Sequence, residues 1–145
     1  MNSSSREWAF TVQLDDLNNG NPNWTSEWGR ASASGPDRGQ AISLGWSDVT
    51  EPNIYVTGQS QSTNGSHSDV LVMRYDWNPS SSSPTPFYDP PSFYDRSGLN
   101  DAGLAIGCRF ISEESGARGV FFTGFGTSST SAKDYVTRRY DDPTP

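Results

Sequence analysis

The sequence predicts an all-β protein built from repeated antiparallel sheets, and three observations support this. Residues 37–79 and 101–143 match along their length, at spacings of 64 to 66 residues. Within the matched segments, apolar side chains alternate with small or polar ones, which is the period of a half-buried strand. The connecting segments are rich in Ser, Gly, Asn and Pro, and no stretch has the period of an amphipathic helix.

The first strand-like block of each copy follows an aspartate. Its members recur at a spacing of 64 residues: Asp37, Ala41, Ile42, Leu44 and Trp46 against Asp101, Ala105, Ile106, Cys108 and Phe110. Leu44 and Cys108 hold the same place in this alternation. We therefore expect both to be buried, with Cys108 acting as a small core residue and not as a nucleophile.

Two further strand-like blocks follow in each copy. Residues 54–58 match 120–124, and residues 69–76 match 134–141. Their aromatic and β-branched side chains suit a pleated, half-buried surface. The glycines that close the first pair of blocks, Gly58 and Gly124, are expected to end their strands where the chain turns.

A partial third copy opens the chain. Residues 8–15 have the pattern of residues 69–76. Aromatic residues then precede the next aspartate in both places: Trp24 and Trp28 before Asp37, and Phe93 and Tyr94 before Asp101. The chain is therefore expected to hold a partial unit at 1–36, a full unit at 37–100 and an incomplete unit at 101–145.

The order of these blocks resembles a known repeat. An Ala-Ile strand, a Tyr-Val-Thr-Gly strand, an Asp-Val-Leu-Val-X-Arg-Tyr-Asp strand and an aromatic strand are typical of the Tyr-Val-Thr-Gly type of seven-bladed β-propeller proteins. The resemblance covers nearly the whole chain, although the repeat is longer than the usual blade and residues 78–91 form a Pro-rich insertion. It implies blades of four-stranded antiparallel sheet, about two and a quarter of them here, with the Ala-Ile strand innermost.

Composition limits the classes of function. The 145 residues carry a formal net charge of −7, and Lys133 is the single lysine. An acidic surface repels phosphate backbones, so nucleic acid is not an expected partner. No run of 18 apolar residues occurs, so no segment is expected to span a membrane.

Catalysis is not expected. The chain has one histidine, His67, and one cysteine, and it lacks the Gly-X-Ser-X-Gly motif of a nucleophile elbow. We expect His67 to be exposed in its polar loop and to hold no metal, because no second histidine can join it. The sequence thus predicts a protein that is not an enzyme and has no cofactor. Calcium is left open at the aspartates that end equivalent strands: Asp15, Asp76 and Asp141.

The candidate ligand-binding residues are the aspartates before the Ala-Ile strands and the aromatic residues near them: Asp37, Asp101, Trp24, Trp28, Phe93 and Tyr94. Each has a structural alternative. Aspartates in turns accept backbone N–H bonds, and aromatic rings fill the space between sheets as well as stacking on sugars. The N-glycosylation pattern is present at Asn23 and Asn64.

The expected function is that of a non-catalytic structural or interaction module. A propeller needs about four blades or more to close its ring, so fewer blades leave sheet faces for other protein chains or further blades of the same assembly to cover. The resemblance implies an extracellular or cell-surface location. The alternative is a lectin-like module that binds carbohydrate or calcium, with a glycan as its partner.

Overall fold

The chain folds, in a computed structural model, into β-strands, and no helix lies among the residues that the structure describes. Those residues are 9–14, 22–28, 35–46, 52–62, 65–76, 92–96, 98–110, 118–129 and 132–142. The strands are β1 (Ala9–Leu14), β2 (Pro22–Trp28), β3 (Asp37–Trp46), β4 (Pro52–Gln61), β5 (Ser68–Asp76), β6 (Ser92–Tyr94), β7 (Ala102–Phe110), β8 (Arg118–Thr127) and β9 (Lys133–Asp142).

These strands form three sheets in which every neighbouring pair is antiparallel. The first sheet pairs β1 with β2, the second has the order β3-β4-β5-β6, and the third has the order β7-β8-β9. The all-β prediction is confirmed. The four-stranded sheet expected for each complete unit occurs only in the second sheet, where the fourth strand, β6, has three residues. The second and third sheets each contain three long strands, β3 to β5 and β7 to β9.

The sequence repeat reappears in the hydrogen-bond pattern. The register of β3 against β4 shifts between Gly39 and Ala41, and that of β7 against β8 shifts at the matching place, between Gly103 and Ala105. A side-chain bond is repeated as well. The hydroxyl of Thr57 donates to the carbonyl oxygen of Leu71 at 2.9 Å, and the hydroxyl of Thr123 to that of Val136 at 3.1 Å. Equivalent residues therefore build equivalent local structure.

Gly58 and Gly124 do not end their strands, contrary to expectation. β4 continues to Gln61 and β8 to Thr127. Each glycine instead faces the irregular place in its neighbouring strand, where a Cβ would overlap a backbone carbonyl oxygen, that of Arg38 in one sheet and that of Ala102 in the other. Close approach of two backbones is a use for glycine that does not require a turn.

The second and third sheets pack face to face. β7 lies against β3, β4 and β5. Small residues permit this approach, because a Cβ at Gly45 would overlap the Sγ of Cys108 and a Cβ at Gly103 would overlap the Oγ1 of Thr57. We call one face of each sheet its leading face: it carries Ile42 and Leu44 in the second sheet and Ile106 and Cys108 in the third. Its trailing face lies opposite, with Tyr55, Thr57, Val70 and Val72 in the second sheet and Phe121, Thr123, Tyr135 and Thr137 in the third.

Two apolar clusters form the core. One lies on the leading face of the second sheet and consists of Ile54, Val56, Leu71, Met73 and Tyr75. The other lies between the second and third sheets and consists of Val70, Val72, Phe122 and Val136, with Tyr94 and Ile106 packed against it. The second cluster joins the two sheets, since it takes side chains from both.

Leu44 and Cys108 are equivalent in position but not in burial. Leu44 pairs with Ile54 and Cys108 with Val120, which is the same place in the two sheets. Cys108 is half-buried against the second sheet, whereas Leu44 is 59% exposed. The prediction of two buried positions is therefore wrong for Leu44. Strand pattern fixes the face of the sheet that a residue occupies, and the neighbouring sheet decides whether that face is covered.

Replacing Gly124 with alanine should lower the free energy of unfolding by about 1–3 kcal/mol, the usual effect of overpacking a tight contact. The new Cβ would overlap the carbonyl oxygen of Ala102. Urea denaturation measures the change. Gly107→Ala in β7 is the matched control, because nothing lies within 4 Å of its Cβ position, and it should be neutral or stabilising by up to about 1 kcal/mol. Equal losses for both variants would contradict the close-approach explanation.

Candidate functional site: a buried histidine among carboxylates

Several hydrogen-bonded polar side chains of the second and third sheets lie at two connections. One is the β4–β5 connection, which includes His67. The other runs from β6 to β7 and includes Asp95, Arg96 and Asn100. The two connections are hydrogen-bonded to each other, because the Ser68 N–H donates to Asn100 Oδ1 at 3.0 Å and the Asp101 N–H donates to the Ser68 carbonyl oxygen at 2.7 Å.

The described residues of the β4–β5 connection are hydrogen-bonded to one another. The Ser62 N–H donates to the His67 carbonyl oxygen at 2.8 Å, and the Gly65 N–H donates to the Ser62 carbonyl oxygen at 2.9 Å. Gly65 has a φ of 71°, a left-handed conformation that glycine adopts without strain. The Gln61 side chain closes the turn through a 2.8 Å bond to the Gly65 carbonyl oxygen. The turn therefore holds His67 in a defined position at the start of β5.

His67 is buried, with 9% of its surface exposed. Its Nδ1 lies 2.8 Å from the Ser66 hydroxyl. Its Nε2 lies 3.2 Å from Asp69 Oδ1 and 3.6 Å from Asp95 Oδ2. One imidazole thus has a hydroxyl on one nitrogen and two carboxylates on the other.

Sheet pairing brings the two carboxylates together. β5 pairs with β6 so that Val70 lies opposite Tyr94. Continuing this register by one residue puts Asp69 opposite Asp95. Two like charges at directly opposed positions disfavour the pairing of their strands, so a positive charge between them stabilises this end of the sheet. The imidazole Nε2 occupies that place.

The order Ser66, His67, Asp69 is the hydroxyl–imidazole–carboxylate order of a nucleophilic triad. Two features distinguish this arrangement from a nucleophilic triad and favour an electrostatic role for His67. Nε2 faces two carboxylate oxygens and not one. Ser66 is also the sequence neighbour of His67 within a tight turn, so their contact follows from local geometry.

Asp101 is fully buried and bonds to two separate segments. Its Oδ2 accepts the Arg96 N–H at 2.7 Å, and its Oδ1 accepts the Thr127 N–H at 2.9 Å. The Thr127 hydroxyl also donates to the carbonyl oxygen of Asn100. The carboxylate therefore ties the β6–β7 connection to the end of β8.

The repeat treats its equivalent carboxylates differently. Asp134 in the third sheet holds the place of Asp69 in the second. Asp134 pairs with the guanidinium of Arg96, with 2.9 Å between Nη1 and Oδ2, on the partly exposed surface. The group beside Asp69 is His67. An arginine guanidinium lies beside one carboxylate, and an imidazole lies beside the other.

The residues predicted as ligand-binding lie in several places. Asp37 and Asp101 are both buried at the starts of β3 and β7, and Asp101 accepts backbone N–H bonds as turn chemistry predicts. Tyr94 packs between the sheets, 6.4 Å from the Phe122 ring centre, with the guanidinium of Arg138 4.3 Å above its ring. Ligand binding at these residues stays a prediction.

Other predicted residues fall outside the described part of the chain. Trp24, Trp28 and Asn23 lie on β2 and Phe93 lies on β6, but their side chains are outside the described part. Asn64 is outside it entirely, as are the side chains of Asp15, Asp76 and Asp141. Carbohydrate binding, calcium binding and glycosylation at these positions stay predictions.

The prediction of an exposed His67 is wrong, and the site it forms was missed. Part of the signal is in the sequence: in an extended segment, residues two apart face the same side, so the spacing of His67 and Asp69 puts their side chains together. The contribution of Asp95 depends on the β5–β6 register. The sequence pattern does not supply that register, because residues 78–91 separate the strands.

No family model, curated protein or solved structure matches the chain. The propeller resemblance is therefore carried by the sequence blocks alone. Within the described residues, no helix has the length and apolar character needed to cross a lipid bilayer.

Asp101→Ala should lower the free energy of unfolding by about 2–5 kcal/mol, because two backbone N–H groups lose their acceptor. An unpaired buried group costs about 1–3 kcal/mol; the Thr127 N–H is buried and the Arg96 N–H is partly buried. Asp101→Asn should cost less, since one carbonyl oxygen remains. Chemical denaturation measures both. Asp134→Asn is the control and should change stability by no more than about 1 kcal/mol, as its ion pair is partly exposed. An Asp101→Ala variant as stable as this control would contradict the assigned role.

Proposed function

We propose that the chain is a non-catalytic structural and interaction module, a propeller-like segment of a larger assembly outside the cell or on its surface. Its partners are other protein chains or further sheets of the same kind, which cover the open trailing face of the third sheet and the open strip along β3. The observation that carries this proposal is the contrast between equivalent positions: residue positions that are buried between the second and third sheets are exposed in these two places.

The trailing faces give the clearest contrast. In the second sheet, Tyr55 and Val70 are each 1% exposed beneath the third sheet. Their equivalents in the third sheet are Phe121, which is 40% exposed, and Tyr135, which is 95% exposed. Large aromatic side chains on an open sheet face are typical of a surface that binds protein.

The leading faces give a similar contrast on the other side of the second sheet. Ile106 and Cys108 of the third sheet are partly buried against the second sheet. Their equivalents in the second sheet, Ile42 and Leu44, are 60% and 59% exposed. β4 and β5 are buried on this face while β3, which β1 contacts, is not, so the open part is a strip along β3.

The two open faces complement each other by the rule that joins the second and third sheets. In that internal contact, a trailing face packs against a leading face. The exposed trailing face of the third sheet is therefore matched, in a second copy, by the open strip of leading face along β3 that carries Ile42 and Leu44. Such a contact is head-to-tail and extends from copy to copy.

The proposal predicts concentration-dependent association of the purified chain, measured by sedimentation. Tyr135→Lys should block the trailing face and Ile42→Lys the leading face, because each places a charge where apolar surface must be buried. Either variant alone should be monomeric. An equimolar mixture of the two should form a heterodimer, since each supplies the face that the other lacks.

Leu104→Lys is the matched control for the association experiment. Leu104 is an exposed leucine at the β7 irregularity, and its equivalent in β3, Gln40, is also exposed, so neither belongs to the internal contact. This variant should associate like the unmodified chain. A cooperatively melting monomer at every concentration would overturn the proposal in favour of a small, closed sandwich.

A further inference from the structure

We propose that His67, Asp69 and Asp95 form a binding site for a divalent transition-metal ion, with Zn²⁺ the best fit. The ion would join the β4–β5 connection and β5 to the end of β6. This proposal does not depend on association of the end faces.

The geometry of the three side chains suits a metal. Their ligand atoms all lie within 4.8 Å of one another. Ligand bonds to Zn²⁺ are about 2.0–2.2 Å long, so neighbouring ligand atoms in a tetrahedral site lie roughly 3.3–3.5 Å apart. The separations from His67 Nε2 to Asp69 Oδ1 and Asp95 Oδ2, 3.2 and 3.6 Å, lie on either side of that range.

The charges suit a metal as well. Two carboxylates face each other across the β5–β6 register, and a divalent cation between them would neutralise both. The whole chain carries a net charge of −7, so no general repulsion opposes cation binding.

The hydrogen bonds around the three residues favour metal coordination. A proton on His67 Nδ1 can be donated to the Ser66 hydroxyl, 2.8 Å away, and this tautomer leaves the Nε2 lone pair facing the carboxylates. A hydrogen bond at the second ring nitrogen is the usual support for a metal-bound histidine. Asp95 is held too, because its Oδ1 accepts the Gly98 N–H at 2.6 Å and its Oδ2 stays turned to the site.

The ligand types select the ion. Imidazole nitrogen suits Zn²⁺ and other transition metals, whereas Ca²⁺ and Mg²⁺ prefer all-oxygen sites. The Asp95 side chain is 43% exposed, so solvent can supply the fourth ligand. This selectivity separates the site from the calcium binding left open at the strand-ending aspartates.

The test is a titration of Zn²⁺, Co²⁺ and Ca²⁺ into chelator-treated protein without a histidine tag, followed by calorimetry and thermal melting. We expect one Zn²⁺ per chain, a higher melting temperature, and no comparable effect of Ca²⁺. Bound Co²⁺ should show the visible absorption of a low-coordinate site with nitrogen and oxygen ligands. This last measurement detects coordination without relying on stability.

Variants locate the site. His67→Ala should abolish binding, and Asp95→Asn should raise the Zn²⁺ dissociation constant by more than about tenfold, since loss of a supporting group alone costs 10–100-fold in metal affinity. Asp95 is an exposed connection residue whose amide can still accept the Gly98 N–H, so this variant stays folded even if His67→Ala does not. Asp134→Asn is the control and should bind Zn²⁺ like the unmodified chain. Zn²⁺ binding that is absent, or equally strong in Asp95→Asn, overturns the proposal.

Discussion

The arrangement of the second and third sheets depends on one buried carboxylate. Asp101 is fully buried, and its two oxygens accept N–H bonds from Arg96 in the β6–β7 connection and from Thr127 in β8. A buried carboxylate is costly unless donors surround it. The two segments must therefore stay together for the charge to be tolerated, and this fixes where the third sheet begins relative to the second.

The repeated sequence determines which face of its sheet a residue occupies, and the presence of a neighbouring sheet determines whether that residue is buried. Thr57 and Thr123 make the same hydrogen bond, and Gly58 and Gly124 make the same close approach, because these features lie within one sheet. Val70 and Tyr135 occupy the same place but differ from 1% to 95% in exposure, because that property depends on the next sheet. Each copy of the repeat makes its own interactions within a sheet, whereas contacts between sheets require an adjacent copy.

The strands are predictable from the sequence because alternation and β-branched or aromatic content are local properties. The equivalence of Leu44 and Cys108 is predictable in position, but the burial of Leu44 depends on a neighbouring sheet. The role of Gly58 is ambiguous in the sequence because glycine serves turns and close backbone contacts alike. The burial of His67 is not predictable because the carboxylate of Asp95 reaches it through strand pairing across a long insertion. These errors share a cause: each concerns a partner distant in sequence.

The bonds around Asp101 also position the groups next to it. Asp95 and Arg96 are neighbours in the chain, yet Asp95 faces His67 on the second sheet while Arg96 reaches Asp134 on the third. Because Asp101 accepts the Arg96 N–H, the backbone that carries both side chains is held in place. The metal ion proposed at His67 would therefore join β5 to a connection whose backbone is already held. The exposed residues proposed for association, Ile42 on β3 and Tyr135 on β9, lie on other strands, so the proposed metal binding at His67 and the proposed association can be lost independently.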